Sequence, residues 1–102
     1  MIEIRYHQKS NSIECLGHAG YGEKGKDIVC ASVTALCLTL GKFVDRTAKG
    51  GELMFDEGHI IVKSVPPSRL RALTRLVYGV FAVGLKSIAE EYPDNVHFEA
   101  YE

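Results

Sequence analysis

Residues 27–44 of the chain read DIVCASVTALCLTLGKFV. Asp27 is a favourable N-cap residue, because its short carboxylate can accept hydrogen bonds from the first free N–H groups of a helix. Apolar residues then recur at intervals of three and four, which places them on one helical face; they are Val29, Val33, Leu36, Cys37, Leu40 and Val44. The stretch predicts a first helix that begins at about Ile28 and buries this face.

Two strands are predicted before this helix. Residues 1–8 alternate apolar and polar side chains, the period of two that is typical of a half-buried strand. Residues 12–18 are interpreted as a second strand, and the short polar link of residues 9–11 favours a hairpin between the two. His18 is therefore expected at the end of a strand.

A glycine-rich segment, residues 19–26, connects this hairpin to the helix. Gly20, Gly22 and Gly25 lie there among Tyr21 and charged residues. Glycines at this density favour a mobile connector over a continued strand. We expect a flexible loop between His18 and the first helix.

Further elements are predicted downstream. Two short β-prone runs, residues 53–55 and 60–62, flank a tight turn and indicate a second hairpin. Residues 66–67, both proline, can precede a helix, and Pro93 ends it. The main apolar stripe of this second helix comprises Leu70, Leu73, Val77, Val80, Phe81, Gly84 and Ile88.

The last predicted element is a strand over residues 96–101, where apolar and polar residues alternate again. The complete order is ββαββαβ. This order favours an α+β fold in which two helices pack on a largely antiparallel five-stranded sheet. We expect one domain that spans residues 1–102.

The second helix has another apolar stripe. Tyr78, Leu85 and Tyr92 lie seven residues apart, away from the main stripe. A helix with two apolar faces often buries one of them in a partner subunit, which predicts a homodimer. A wide surface that faces the core of the same chain is an equally good interpretation of the stripe.

Composition and charge argue against several classes of protein. The 102 residues include 12 basic and 13 acidic ones, for a formal net charge of −1, so we expect no direct nucleic-acid binding. The alternating start lacks the apolar run of an export signal, and basic residues interrupt the apolar stretch 70–89, so neither export nor a membrane span is expected. Three cysteines without an export signal favour reduced thiols and a cytoplasmic protein.

Cys30 is a candidate nucleophile. If Asp27 is the N-cap, Cys30 is the third helical residue, where the helix dipole and unpaired N–H groups favour a thiolate. The same N–H groups are expected to be available for the oxyanion of an acyl-transfer intermediate. His18 can return to the thiol across the glycine-rich loop and act as general base. Asp27 either orients His18 or only caps the helix, and capping is the favoured interpretation.

The other cysteines and histidines indicate structural positions. Cys15 shares strand parity with Ile13, and Cys37 lies on the apolar stripe of the first helix, so both are expected in the core. The other histidines, at positions 7, 59 and 97, are expected at the surface or at edges. The paired ligand spacing of a zinc site does not occur, and no phosphate-binding fingerprint is present, so we expect neither a metal nor a cofactor.

Three short motifs occur around His18 and Cys30; they are residues 17–19 (Gly-His-Ala), residues 25–31 (Gly-Lys-Asp-Ile-Val-Cys-Ala) and residues 33–36 (Val-Thr-Ala-Leu). Together these motifs resemble the Prp family, also called YsxB-like. The length and the element order are also similar across the whole chain. Prp proteins are bacterial cysteine proteases that process a ribosomal protein. The resemblance implies His18 and Cys30 as the catalytic residues.

The resemblance implies further properties. The substrate would be the precursor of the large-subunit ribosomal protein numbered twenty-seven, from which a short N-terminal extension rich in Leu and Phe is removed. Family members form homodimers, and the loop with Gly20, Tyr21, Gly22 and Gly25 would move over the active site. Thr34 stands where many members have Ser. Because Thr keeps the hydroxyl group, a supporting role at this position would be preserved.

A second function of a different class fits the same features. A non-catalytic module that binds the ribosome or another protein could offer a groove between the loop and the helix. Thiol reactivity distinguishes the two hypotheses, because a catalytic dyad should make Cys30 react faster near neutral pH than an ordinary thiol.

Overall fold

The computed structural model describes residues 1–47 and 51–102. Within these ranges, seven elements follow the predicted order, and one short 3-10 turn is added. The strands are β1 (Ile2–His7), β2 (Ser12–Leu16), β3 (Glu52–Asp56), β4 (His59–Lys63) and β5 (Val96–Tyr101). The helices are α1 (Ile28–Thr47) and α2 (Arg71–Glu91), and the 3-10 turn Ser68–Leu70 lies directly before α2. The ββαββαβ prediction is confirmed.

The five strands form one sheet in the order β3-β4-β2-β1-β5. β1 and β2 form the predicted antiparallel hairpin, with Ile4 opposite Cys15, and β4 pairs antiparallel with both β2 and β3. β5 returns after α2 and pairs parallel with β1. A parallel return needs a long crossover, and α2 supplies it. The sheet is therefore largely antiparallel, as predicted.

The core lies between the two helices and one face of the sheet. The largest fully buried side chains come from both helices and from the sheet; they are Tyr78, Ile4, Ile13, Leu40, Leu85 and Val29. The Tyr78 hydroxyl donates a hydrogen bond of 3.1 Å to the Val62 carbonyl oxygen, which satisfies its polar end. This bond ties α2 to the central part of the sheet.

The strand that leads to His18 ends earlier than predicted. β2 stops at Leu16, so His18 lies two residues beyond the strand and not at its end. Gly17 has a φ of 95°, and a Cβ at this position would collide with the Met1 carbonyl oxygen. Only glycine tolerates this turn without strain. The chain leaves the sheet there, and His18 is exposed.

The packing of α2 decides between the two interpretations of its second apolar stripe. Tyr78 and Leu85, assigned to the second stripe, are fully buried in this chain's own core. From the main stripe, Leu73 and Val80 are 46% and 61% exposed. Other residues of the main stripe, among them Phe81, pack against the core. The interpretation of a wide surface that faces the core of the same chain is therefore confirmed for the second stripe, and its assignment to a partner subunit is wrong. Spacing alone cannot tell which of two apolar faces meets the sheet, because both have the same period.

Two helical segments, Ile28–Thr47 and Ser68–Glu91, are long and apolar enough to cross a membrane by length and composition alone. The core helix of a soluble protein passes the same test. Each helix also buries a face in the core, with Val33 and Leu40 from α1 and Tyr78 and Leu85 from α2. The absence of a membrane span stays a prediction.

Candidate active site

The N-terminus of α1 is held by Asp27. Its Oδ1 accepts hydrogen bonds of 3.0 Å from the backbone N–H groups of Val29 and Cys30, which is the geometry of an N-cap. Cys30 is therefore the third residue of α1, as predicted. Its side chain is half-buried at the edge of the core.

The cap changes which N–H groups are free. Those of Val29 and Cys30 are bonded to the Asp27 carboxylate, and that of Ala31 donates to the Asp27 carbonyl oxygen at 3.0 Å. The expectation that these groups are available for an oxyanion is therefore wrong for this arrangement. These N–H groups already donate hydrogen bonds to Asp27.

A backbone hydrogen bond brings the loop to the thiol. The Ala19 N–H donates to Cys30 Sγ at 3.2 Å. Ala19 is 2% exposed, and its carbonyl oxygen accepts a hydrogen bond of 2.9 Å from Asn95 Nδ2. The peptide group that follows His18 is thus fixed against Cys30, across eleven residues of sequence.

The His18 ring lies against the turn between β3 and β4. A Cβ built on Gly58 would come within 2.9 Å of His18 Nε2, and Gly58 has a φ of 76°. The Gly17 N–H also donates to the Gly58 carbonyl oxygen at 2.9 Å. Gly58 is a site residue that sequence reasoning missed, because the sequence shows only a turn glycine and not what packs on it.

Within residues 1–47 and 51–102, no hydrogen bond joins the His18 ring to Cys30 or to Asp27. All four hydrogen bonds to the Asp27 carboxylate come from backbone N–H groups. The structure therefore gives Asp27 a capping contact and a loop contact. In the described part of the chain, no contact supports a role for Asp27 in orienting His18.

The glycine-rich loop is tethered at several points. Asp27 Oδ2 accepts hydrogen bonds from the N–H groups of Tyr21 and Gly22 at 3.0 and 3.2 Å. The bond from the Cys30 N–H contributes most to lowering the pKa of the Asp27 carboxyl. Desolvation by burial opposes it, and the bonds from Gly22, Tyr21 and Val29 lower the pKa further. A single carboxylate therefore holds both the helix start and the loop.

Two side-chain contacts extend these tethers. Lys24 Nζ lies 3.0 Å from Glu57 Oε1, so the loop is linked to the β3–β4 turn. The hydrogen bond from Lys24 lowers the pKa of Glu57. The Tyr21 ring packs edge-on against Tyr92, with ring centroids 5.2 Å apart. The loop thus bridges from the end of α2 to the opposite hairpin.

A cavity of about 950 Å³ lies between this loop, α1 and the β3–β4 hairpin. His18, Cys30 and Thr34 all line it, together with Gly20, Gly22, Gly25 and Asp27. Its apolar wall includes Val33, Leu38, Phe55 and Ile60. Tyr21 is not among the lining residues, since its ring packs on Tyr92. The structure thus brings seven of the eight candidate residues to one cavity. Their catalytic and supporting roles remain predictions.

The remaining cysteines lie in the core, as predicted. Cys15 and Cys37 are 4% and 1% exposed, and their sulfur atoms are 3.5 Å apart. The hydrogen bond between the two thiols, with burial, raises the pKa of Cys15. The same hydrogen bond lowers the pKa of Cys37, against desolvation by burial. Because both side chains are buried, a substrate carbonyl has little access to either sulfur.

The remaining histidines occupy partly or fully exposed positions in strands. His59 Nε2 lies 2.8 Å from Glu14 Oε2, and the His7 ring stacks on Tyr101. His97 Nε2 lies 3.1 Å from Glu99 Oε1. In the described ranges, no three His, Cys, Asp or Glu residues are grouped so that they could hold a metal ion.

Known proteins resemble this chain over nearly its full length. A family described as cysteine protease Prp matches residues 1–97. The ribosomal processing cysteine protease Prp of Staphylococcus aureus is 32% identical over 98 residues, which cover 93% of this chain and 91% of the relative. The Prp of Mycoplasma genitalium is also 32% identical, and the match covers both chains completely.

A solved structure agrees with these sequence matches. The crystal structure of Prp from Staphylococcus aureus with a covalently linked product peptide has a TM-score of 0.83 and 26% identity. The match covers 98% of this chain and 99% of that one. The fold and the sequence therefore indicate the same family.

Proposed function

The chain belongs to the Prp family of ribosomal processing cysteine proteases, and on that premise we propose that it removes the N-terminal extension of the bacterial large-subunit ribosomal protein numbered twenty-seven. Cys30 is the nucleophile and His18 the general base. The hydrogen bond from the Ala19 N–H to Cys30 Sγ carries this assignment, because it holds the residue next to His18 against the sulfur. The Prp structure with a covalently linked product peptide supports a peptide substrate.

The chemistry follows from these two side chains. His18 takes the proton of the Cys30 thiol, and the sulfur attacks the scissile carbonyl carbon to form a tetrahedral intermediate. Protonated His18 returns its proton to the leaving amine as the C–N bond breaks, which leaves a thioester on Cys30. Water activated by His18 then attacks the thioester, releases the second product and restores the thiol. For the first step the His18 ring rotates toward the sulfur, and the missing side chain of Gly58 leaves it room to do so.

The oxyanion needs a donor that the helix cap has not already engaged. The N–H groups of Val29, Cys30 and Ala31 all have partners at Asp27. The Ala19 N–H points at the sulfur and is placed to donate to the oxygen that becomes charged when the sulfur bonds to carbon. We assign this donor to the oxyanion.

Substrate entry involves the loop. Gly20, Gly22 and Gly25 line the cavity, and Lys24 links the loop to Glu57 across it. A peptide chain that reaches Cys30 has to pass beneath or displace this segment. The predicted role of the loop as a flexible cover, and of Thr34 as a support one turn after Cys30, belongs to this proposal. Its setting is cytoplasmic, as expected for reduced thiols.

A homodimer completes the proposal. Leu73, Leu76, Val80 and Val83 recur at helical spacing on α2, and they are 46%, 65%, 61% and 68% exposed. Contiguous exposed apolar side chains of this kind mark an interaction surface. We assign this face, and not the buried Tyr78 and Leu85, to the contact with a second copy.

The deciding experiment mixes the purified protein with the precursor of the host's large-subunit protein numbered twenty-seven and measures product masses. Wild type should release an N-terminal fragment, and Cys30→Ala and His18→Ala should release none. Cys15→Ala is the matched control, because it removes a buried thiol outside the dyad. An intact precursor with wild type would contradict the substrate, and equal loss in all variants would indicate misfolding instead of catalysis.

A further inference from the structure

A second cavity adjoins the candidate active site. It has a volume of about 400 Å³ and lies between the outer face of α1 and strand β3. Leu38 and Phe55 line both cavities, so the two form one continuous depression. Leu38, Leu53 and Phe55 line the second cavity and are each 40% exposed. Three large apolar side chains left open to water in one concave surface are typical of a binding site.

The wall between the two cavities depends on a close contact. A Cβ on Gly41 would lie 2.6 Å from Phe55 Cζ, so the glycine lets the Phe55 ring lie directly on α1. Gly41 itself is buried. Phe55 and Leu53 are two residues apart on β3 and project from the same face of the strand. Phe55 therefore lines both cavities, the first together with Cys30 and the second together with Leu53.

We propose that this second cavity is a distal subsite that receives a large apolar side chain of the peptide substrate, three to five residues from the scissile bond. The inference rests on the proposed peptidase function. Leu38 and Lys42 follow Cys30 on α1 by eight and twelve residues, which corresponds to about 12 and 18 Å along the helix axis. An extended peptide advances about 3.3–3.6 Å per residue, so three to five residues span this interval.

Because the two cavities are continuous, we expect the peptide substrate to occupy the second cavity as well. A peptide bound at Cys30 that continues past Phe55 enters the second cavity without leaving the surface. Lys42, Asp45 and Arg46 line its polar side. None of these three side chains has an ion pair with another residue in the described ranges. The apolar floor and polar rim suit a single Leu, Phe or similar side chain within an extended segment.

The test uses a quenched-fluorescence peptide that spans the extension and cleavage site of the proposed precursor. Leu53→Ala, at a residue that lines the second cavity and not the first, should raise KM about tenfold, the loss expected for one apolar contact, and change kcat less than about twofold. Phe55→Ala should raise KM by a similar factor. Tyr101→Ala is the matched control, because Tyr101 is also an aromatic residue with 40% exposure but lies on β5 at the opposite edge of the sheet.

A peptide scan locates the occupant. Alanine is placed at each apolar position on both sides of the scissile bond, and every peptide is measured with wild type and Leu53→Ala. Alanine at the position three to five residues from the scissile bond should weaken binding of the peptide to wild type. The same peptide change should weaken binding to Leu53→Ala much less, because the effects of two contacting residues are not additive. Additive losses at every position, or an unchanged KM in both enzyme variants, would overturn the subsite.

Two further measurements separate the remaining explanations. Sedimentation of Phe55→Ala should match wild type, and a loss of dimer would assign this cavity to a second copy of the chain instead. Binding of the labelled peptide to Cys30→Ala tests the premise. If wild type does not cleave the peptide and Cys30→Ala does not bind it, the proposed substrate and the subsite both fail. If it is cleaved and bound but Leu53→Ala has no effect, only the subsite fails.

Discussion

The Ala19 N–H and Cys30 Sγ are 3.2 Å apart and joined by a hydrogen bond that closes the glycine-rich loop on itself. The loop leaves the sheet at Gly17 and enters α1 at Asp27, so its two ends meet at the thiol. Asn95 holds the first end through the Ala19 carbonyl oxygen, and the Asp27 cap holds the second. The fold thus determines which residues adjoin Cys30 before any substrate arrives.

Alkylation of the native protein should modify Cys30 alone. Cys15 and Cys37 are 4% and 1% exposed and their sulfur atoms contact each other at 3.5 Å, whereas Cys30 is only half-buried. The raised pKa of Cys15, caused by its hydrogen bond with Cys37 and by burial, also keeps that thiol protonated. Intact mass after iodoacetamide treatment should show one adduct for wild type and none for Cys30→Ala. A second adduct on folded protein would contradict this selectivity.

Gly58→Ala should impair catalysis through His18. The new methyl group would meet His18 Nε2 at 2.9 Å, and the φ of 76° would add about 1–2 kcal/mol of strain. Because the blocked atom is the end of a side chain, the ring shifts and the fold persists. We expect kcat/KM for precursor cleavage to fall at least about tenfold, the effect of a misplaced general base.

Gly79→Ala is the control for this substitution, because a Cβ at Gly79 meets nothing within 4 Å. It should leave activity unchanged and slightly raise the free energy of unfolding, since alanine favours a helix over glycine. The Gly58 prediction fails if Gly58→Ala cleaves the precursor at the wild-type rate, or if circular dichroism shows that the variant is unfolded.

The elements were predictable because each depends on local pattern. The Asp27 cap and the apolar spacing after it are properties of neighbouring residues, and α1 begins at Ile28 as expected. The contact between Gly58 and His18 joins residues forty positions apart, and so depends on how β4 pairs with β2. No local pattern encodes that pairing. Which apolar positions of α2 are buried stayed open between two interpretations for the same reason, because it is decided by packing against the sheet.

Asp27→Asn should release the loop while keeping the helix. Asparagine also caps a helix well through its one side-chain oxygen, but the amide group in place of Oδ2 cannot accept the hydrogen bonds from Tyr21 and Gly22. Hydrogen exchange should therefore become faster at the amides of Tyr21 and Gly22 and remain slow within α1. Equal acceleration throughout α1 would contradict a separate loop contact.

The same variant predicts a pH dependence of stability. Hydrogen bonds from the backbone N–H groups of Cys30, Gly22, Tyr21 and Val29 lower the pKa of Asp27 below its ordinary value of 3.8. A lowered pKa in the folded state means that the charged carboxylate stabilises the fold above pH 3.8, and that this contribution is lost as the pH falls through the lowered value. The difference in urea midpoint between wild type and Asp27→Asn should be constant from about pH 7 to 5 and shrink below the ordinary value. Asp45→Asn, an exposed carboxylate on α1, serves as the control.

Breaking the contact between Lys24 and Glu57 should make Cys30 more accessible at low salt only. The two side chains are 87% and 65% exposed, so their ion pair is weak and screened. Lys24→Ala should speed iodoacetamide labelling of Cys30 by at most about fivefold at low ionic strength. The effect should vanish at 1 M salt, where the Debye length is about 3 Å. Lys26→Ala is the control, since Lys26 is exposed in the same loop. Equally fast labelling of Cys30 in Lys26→Ala, or faster labelling in Lys24→Ala that persists at 1 M salt, would contradict an electrostatic tether.

Val80→Glu should dissociate the proposed homodimer. Val80 is 61% exposed in the middle of the apolar face of α2, with Leu76 and Val83 beside it. In a symmetric dimer the substitution places two like charges in one interface, where neither has a partner, so the dissociation constant should rise at least about 100-fold. Sedimentation velocity should show twice the mass of one chain for wild type and a single chain for the variant. Val65→Glu, at a site that is 58% exposed outside α2, is expected to remain dimeric. A wild-type monomer, or a dimer that survives Val80→Glu unchanged, would remove this face from the interface.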